Sequence, residues 1–241
     1  MKKISLWSLL VIFLMMFVIG CGGKSTSLEG KVVDGKGQPL ANVKVAAKMS
    51  QPIKGYEQFE TTTGADGSFK FGKLFPTSEY QLILYSERWT LEKKIKAESG
   101  PKGETKMLPE PVMIRFMDSK EGVVLDTKTT LMWAAKDNGT DITWANAKSY
   151  CDNYRGGGYS DWRMPTQDEL AGLYDTANTY KSEQIGDEVH STELIRLTSK
   201  WVWASETRGS DHAYFDFSTG RRYLDAQSYP YGRELPVRSG K

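Results

Sequence analysis

The sequence predicts two folded units behind an apolar leader: an all-β sandwich over residues 28–112 and an α+β unit over residues 113–241. Three observations support this division. From Leu28 onward, short alternating apolar runs are separated by Gly-, Pro- and Asp-rich turns, the pattern of half-buried strands. Beyond Met113 the texture becomes aromatic and mixed, with two capped helical segments. The first 20 residues match neither pattern, and the remaining length suits two units better than one.

The leader carries Lys2 and Lys3, an uncharged apolar run from Ile4 to Phe17, and then Val18-Ile19-Gly20-Cys21. A basic start, a short apolar stretch and a small residue at the cut site describe a secretory signal over residues 1–20. A membrane-spanning helix is the competing reading, but Gly20, Gly22 and Gly23 interrupt the run short of a full span. The string resembles the lipobox of bacterial lipoproteins. That resemblance implies cleavage after Gly20, a diacylglyceryl group on the Cys21 thiol, and a bilayer as a partner. Gly22 rather than Asp follows the cysteine, which by the same resemblance implies the outer membrane. Residues 21–27 are small and polar and read as a tether.

In the first unit, Leu28, Val32 and Val33 lead into the turn Asp34-Gly35-Lys36-Gly37-Gln38-Pro39, and Val43-Lys44-Val45 alternates. Asp66-Gly67 stands between Thr61-Thr62-Thr63 and Phe69-Lys70-Phe71, which predicts a type I′ hairpin rather than a calcium loop. Tyr80, Leu82 and Leu84 form the inward side of a further strand. Gly30 to Asp34, Pro39-Leu40, Val43, and Asp66 to Phe71 with Leu74 resemble the carboxypeptidase regulatory-like domain. The resemblance implies a transthyretin-like (Ig-like) sandwich that acts as a spacer without catalytic residues. Pro101, Pro109 and Pro111 place its exit near residue 112.

In the second unit, Val123-Val124-Leu125 and Leu131-Met132-Trp133 predict a hairpin around Asp126 to Thr130. Thr143 reads as the N-cap of a helix carrying Trp144, Ala147, Cys151 and Tyr154 on one face. Thr166 and Glu169 have the spacing of a capping box for a second helix with Leu170, Leu173, Tyr174 and Ala177 inward. The string from Gly157-Gly158-Tyr159-Ser160-Asp161-Trp162-Arg163-Met164-Pro165-Thr166 to Glu169, with Trp203-Ala204-Ser205, Asp216-Phe217 and Pro236-Val237-Arg238, resembles the Lcl C-terminal-domain-like family. That resemblance implies a C-type-lectin-like fold, and the family includes an adhesin domain that binds sulfated polysaccharides. Two positions depart from the family pattern. Ser239 stands where a second cysteine is frequent, so Cys151 is expected as a buried unpaired thiol, and Thr130 stands where glycine is common.

Charge and composition exclude several functions. With Lys2 and Lys3 set aside, 30 basic residues face 30 acidic ones. A neutral chain lacks the clustered cations that nucleic acid requires. His190 and His212 are the only histidines and sit in no zinc motif, so no metal, cofactor or catalytic set is expected. Asp216 and Asp225 could be imagined as a glycosidase pair but read better as solvated strand-edge carboxylates. Asp137, Asn138 and Asp141, and Glu206 with Asp211, read as solvated turns rather than calcium loops. What remains is a binding surface built from arginine and tyrosine: Arg221, Arg222, Tyr229, Tyr231 and Arg233. Such side chains combine forked donors with flat apolar faces suited to a polysaccharide or an envelope protein. A structural role in an envelope assembly is the alternative. Arg221 and Arg222 are adjacent on one strand, so only one of them can serve a given face.

Overall fold

The structure, a computed structural model, describes residues 25–86, 93–119, 121–182, 186–226 and 232–240. The expected acylation site Cys21, and Tyr229 and Tyr231, lie outside these residues. The described chain is rich in β-structure, arranged as several small sheets around separate cores.

The first half contains β1 (Thr26–Asp34), β2 (Lys44–Met49), β3 (Gln58–Thr62), β4 (Ser68–Leu74), β5 (Glu79–Tyr85), β6 (Lys93–Glu98), β7 (Thr105–Met107) and β8 (Val112–Ile114). One sheet has the order β4-β1-β7, with β8 also paired to β1, and the other has the order β3-β2-β5-β6. Alternation turns Leu28 and Val32 of β1, Phe69 and Phe71 of β4, and Tyr80, Leu82 and Leu84 of β5 into one shared core. The turn at Asp66-Gly67 departs from the predicted hairpin. It joins β3 to β4, which belong to different sheets, so it crosses the core edge instead of folding one sheet back on itself. Gly67 alone has positive φ, at 72°, whereas a type I′ turn needs it at both central positions. A Cβ on Gly67 would stand 2.5 Å from the Val32 carbonyl oxygen, so the close approach itself requires glycine.

The second half contains β9 (Phe116–Asp118), β10 (Val123–Asp126), β11 (Leu131–Ala134), α1 (Trp144–Asn153), α2 (Gln167–Leu173), β12 (Thr179–Lys181), β13 (Glu188–His190), β14 (Trp201–Arg208), β15 (Asp211–Asp216), β16 (Arg221–Ala226) and β17 (Val237–Ser239). Its sheets have the orders β17-β11-β10-β9, β12-β13 and β14-β15-β16. Between the halves the chain passes directly from one core to the other. Met117 belongs to the first core and Phe116 packs against the second. At this junction the Thr127 hydroxyl accepts from the Gly35 N–H at 2.7 Å and donates toward the carbonyls of Ile114 and Arg115. Arg115 grips the buried Asp126 carboxylate with two bonds of 3.1 and 2.8 Å.

The distinctive Gly157–Thr166 string fastens the C-terminal strand. Asp161 accepts from the Arg238 guanidinium at 2.6 and 3.2 Å, and the same guanidinium lies 3.8 Å from the centre of the Tyr159 ring. Trp162 is buried, its indole N–H bonded to the Gly156 carbonyl at 3.2 Å. Arg163 exchanges backbone bonds with Val237 and forks onto Glu169 at 2.8 and 2.6 Å. Glu169 completes the capping box: it accepts from Thr166 N–H at 2.8 Å while its own N–H donates to Thr166 Oγ1 at 3.1 Å. Helix α2 ends at Leu173, one residue before its cap at Tyr174, so Ala177 lies exposed beyond it rather than on the expected inward stripe.

Candidate ligand-binding face

The β14-β15-β16 sheet places its side chains by register. Trp203 lies opposite Tyr214, which lies opposite Tyr223; Trp201 lies opposite Asp216, which lies opposite Arg221. Residues paired across antiparallel strands share a face. Val202, Ala213 and Phe215 take the other face and are buried in the second core. One face therefore carries Trp201, Trp203, Tyr214, Tyr223 and Arg221 together.

Helix α1 covers part of that face. Trp203 is buried against Ala147, Cys151 and Met164, and its indole N–H donates to the Ile142 carbonyl at 2.8 Å. Trp201, Tyr214 and Tyr223 extend beyond the helix and are only half-buried. Tyr214 and Tyr223 stack at 5.0 Å with 11° between planes, and Trp201 and Trp203 meet Tyr214 edge-on at 6.5 and 6.0 Å. The Gln167 side-chain amide donates to the carbonyls of both Tyr214 and Tyr223, at 2.9 and 2.8 Å, and so ties this pair to the start of α2. At the far end of the row Trp144 stacks on His212 at 4.4 Å.

Register also separates the two adjacent arginines. Arg221 shares the aromatic face, is exposed, and has no ion-pair partner among the described residues. Arg222 points to the opposite side, where it pairs with Asp168 of α2 at 2.6 Å. The sequence could not decide between them because alternation does not carry across the Ser218–Gly220 turn.

Arg233 requires a correction. It is only 2% exposed and does not lie on the surface expected of it. Its guanidinium donates to Thr198 Oγ1 at 2.8 Å and to the Asp141 carboxylate, with Asp137 alongside. Asp137 is itself buried, and burial pushes its carboxyl up even though the Thr198 and Gly139 donors and the Arg233 charge favour the ionised form. Of the 137–141 carboxylates, Asp137 is thus buried beside a guanidinium, whereas Asp141 reaches the same guanidinium from the solvent side, its side chain 45% exposed. Next in sequence, Glu234 is fully buried; one oxygen accepts from the Cys151 thiol at 2.9 Å and the other has no partner among the described residues. Burial pushes both the Glu234 carboxyl and the Cys151 thiol up, so both groups favour their neutral forms.

Of the two carboxylates weighed as a glycosidase pair, only Asp216 has a described side chain, and it is buried rather than solvated at a strand edge. It is occupied by Trp201, Ser218 N–H and Ser218 Oγ, and the Asp225 side chain lies outside the described set. No three His, Cys, Asp or Glu side chains among the described residues gather as a metal site. Trp201 was absent from the expected surface, although its i, i+2 spacing from Trp203 in a strand is a signal that would have found it.

These positions fall inside a stretch that a family model matches. Residues 122–238 match the Lcl C-terminal domain. The Lcl region holds the Asp161–Arg238 clamp, the aromatic row and the buried Arg233 cluster alike. Comparison with curated proteins gives no match. Among solved structures, the dioxygenase domain of a dioxygenase carbohydrate-binding protein fusion from Streptomyces sp. SirexAA-E aligns at TM-score 0.24 and 17% identity, covering 34% of this chain and 59% of that one. A 9R-lipoxygenase from Cyanothece PCC8801 aligns at TM-score 0.23 and 10% identity, covering 88% of this chain and 42% of that one. Overlaps this low carry no functional meaning.

Proposed function

We propose that the protein is a lipid-anchored, non-catalytic binding module of the cell envelope. In this reading Cys21 is acylated and holds the chain on the outer membrane. The first half is a carboxypeptidase regulatory-like spacer, and the Lcl region is a C-type-lectin-like module that recognises a polysaccharide or a protein. The observation that carries the reading is the row Trp201, Tyr214 and Tyr223 with exposed Arg221 beside it on one sheet face. Stacked rings offer flat surfaces to sugar rings or to proline-rich peptides, and an unpaired guanidinium adds a forked donor for carboxylate or sulfate.

The test is binding of the full mature chain to a glycan array and to envelope extracts, comparing the parent with Tyr223→Ala and Arg221→Glu. Both substitutions change exposed or half-exposed side chains, so loss of binding is expected with little change in melting temperature. Binding to an acidic polysaccharide should also weaken as salt rises. If both variants bind as the parent does, this face is not the site. The second reading is a structural part of an envelope assembly, favoured by Met107 and Met113, which are 56% and 49% exposed on strands flanking β1.

A further inference from the structure

The two ends of the first half are chemically distinct, and the tether leaves from one of them. At that end Thr26 pairs with Leu74, Ser25 accepts from Gly103 N–H, and Thr77 N–H donates to Gly100. The 50–57 loop joins the same end, since Ser50 N–H donates to Glu79 and Tyr56 meets Phe75 edge-on at 5.2 Å. Strand β1 then runs nine residues, about 30 Å, to Asp34 and Gly35, where Thr127 of the second half is bonded. The tether exit and the Lcl region therefore occupy opposite ends.

The exit end presents Ile53, 39% exposed and one of four large apolar side chains so placed among the described residues. Pro52 is exposed beside it, and the half-buried rings of Tyr56 and Phe75 back it. Lys54, Lys73 and Lys102 are exposed at this end with no ion-pair partner among the described residues; Glu57 and Glu104 are exposed there too, and Glu79 lies 3.8 Å from Lys96. An apolar tip ringed by lysine side chains, with carboxylates among them, suits the headgroup layer of a bilayer, where the lysine stems lie along apolar surface and their charges reach phosphate. Only Gly22, Gly23 and Lys24 separate Cys21 from Ser25. Fully extended, that link spans about 14 Å at most, which holds the exit end beside whatever carries Cys21.

We infer that the Ile53 end rests on the bilayer, with Ile53 entering the headgroup layer and the Lcl region held at the far end. This rests on the lipid anchor proposed above. A contact too weak to bind vesicles unaided becomes occupied once the tether raises its effective concentration.

Limited trypsin digestion of the full mature chain on phosphatidylethanolamine–phosphatidylglycerol vesicles tests it. Flotation and acyl labelling at Cys21 first report the anchor. If acylation is absent, the anchor reading fails, and the digestion is done on chain coupled at Cys21 to a maleimide lipid, since Cys151 is buried. On vesicles, cleavage after Lys54 is expected to slow several-fold relative to lipid-free chain, while cleavage after Lys36 at the opposite end is unchanged. Ile53→Asp is expected to restore the rate at Lys54. Equal rates at Lys54 with and without vesicles would overturn the inference. So would protection that persists in Ile53→Asp, because tether crowding alone would then account for it.

Discussion

The two halves of the chain bury different chemistry. In the first half the buried polar residues are Thr26, Thr63 and Ser99, neutral groups whose hydroxyls are bonded to nearby backbone. The second half buries Asp126, Asp137, Asp216, Arg233, Glu234 and Arg238. Burying a charge is costly unless partners replace its water, so such groups persist only where geometry is tightly specified. The first half is a scaffold that needs apolar alternation and good turns. The second half needs particular side chains in particular places.

The sharpest way to break this contrast is to remove a charge from each half. Arg233→Met leaves Asp137 buried without its guanidinium, and a loss of about 3–5 kcal/mol in urea unfolding of the second half is expected. Glu234→Gln refines the comparison through pH. The folded carboxyl titrates above its ordinary value near 4.5 because burial disfavours the ion. Its contribution is fully present below that value and is lost as pH rises toward the folded pKa. The Gln variant should therefore gain melting temperature over the parent at pH 8, with the gain shrinking toward pH 4. A constant offset across that range would show that the carboxyl does not titrate this way.

Smaller effects come from backbone fit. Thr166→Ala removes one side of the α2 capping box and should cost about 1 kcal/mol. Thr130, at φ 62°, holds a β-branched residue in the left-handed region, so Thr130→Gly should gain up to about 1 kcal/mol in thermal unfolding. The smallest change belongs to the first half. Lys70 and Glu29 pair at 2.6 Å, but the Lys70 side chain is 58% exposed, and Lys70→Ala should move stability by less than about 0.5 kcal/mol.

Local signals were legible in the sequence and long-range ones were not. The cap of α2 is written within four residues, Thr166 to Glu169, and it forms as read. Alternation at Tyr80, Leu82 and Leu84 likewise led to buried side chains. The Asp66-Gly67 turn was misread because the dipeptide reports a chain reversal but not whether both arms join one sheet. Arg233 was misplaced for a related reason: its partners Asp141 and Thr198 stand 92 and 35 residues away, and nothing local marks it as buried. The aromatic face needed the cross-strand register, which the turn between β15 and β16 concealed.

The enclosure of Cys151 has an experimental use. With Cys21 consumed by lipid it would be the one thiol left in the mature chain, sealed under Trp203 and bonded to Glu234. A thiol-specific reagent could then modify the protein only when α1 lifts from the β14 sheet. The labelling rate would read the opening free energy of that single packing contact in the unmutated protein, on the membrane as well as in solution.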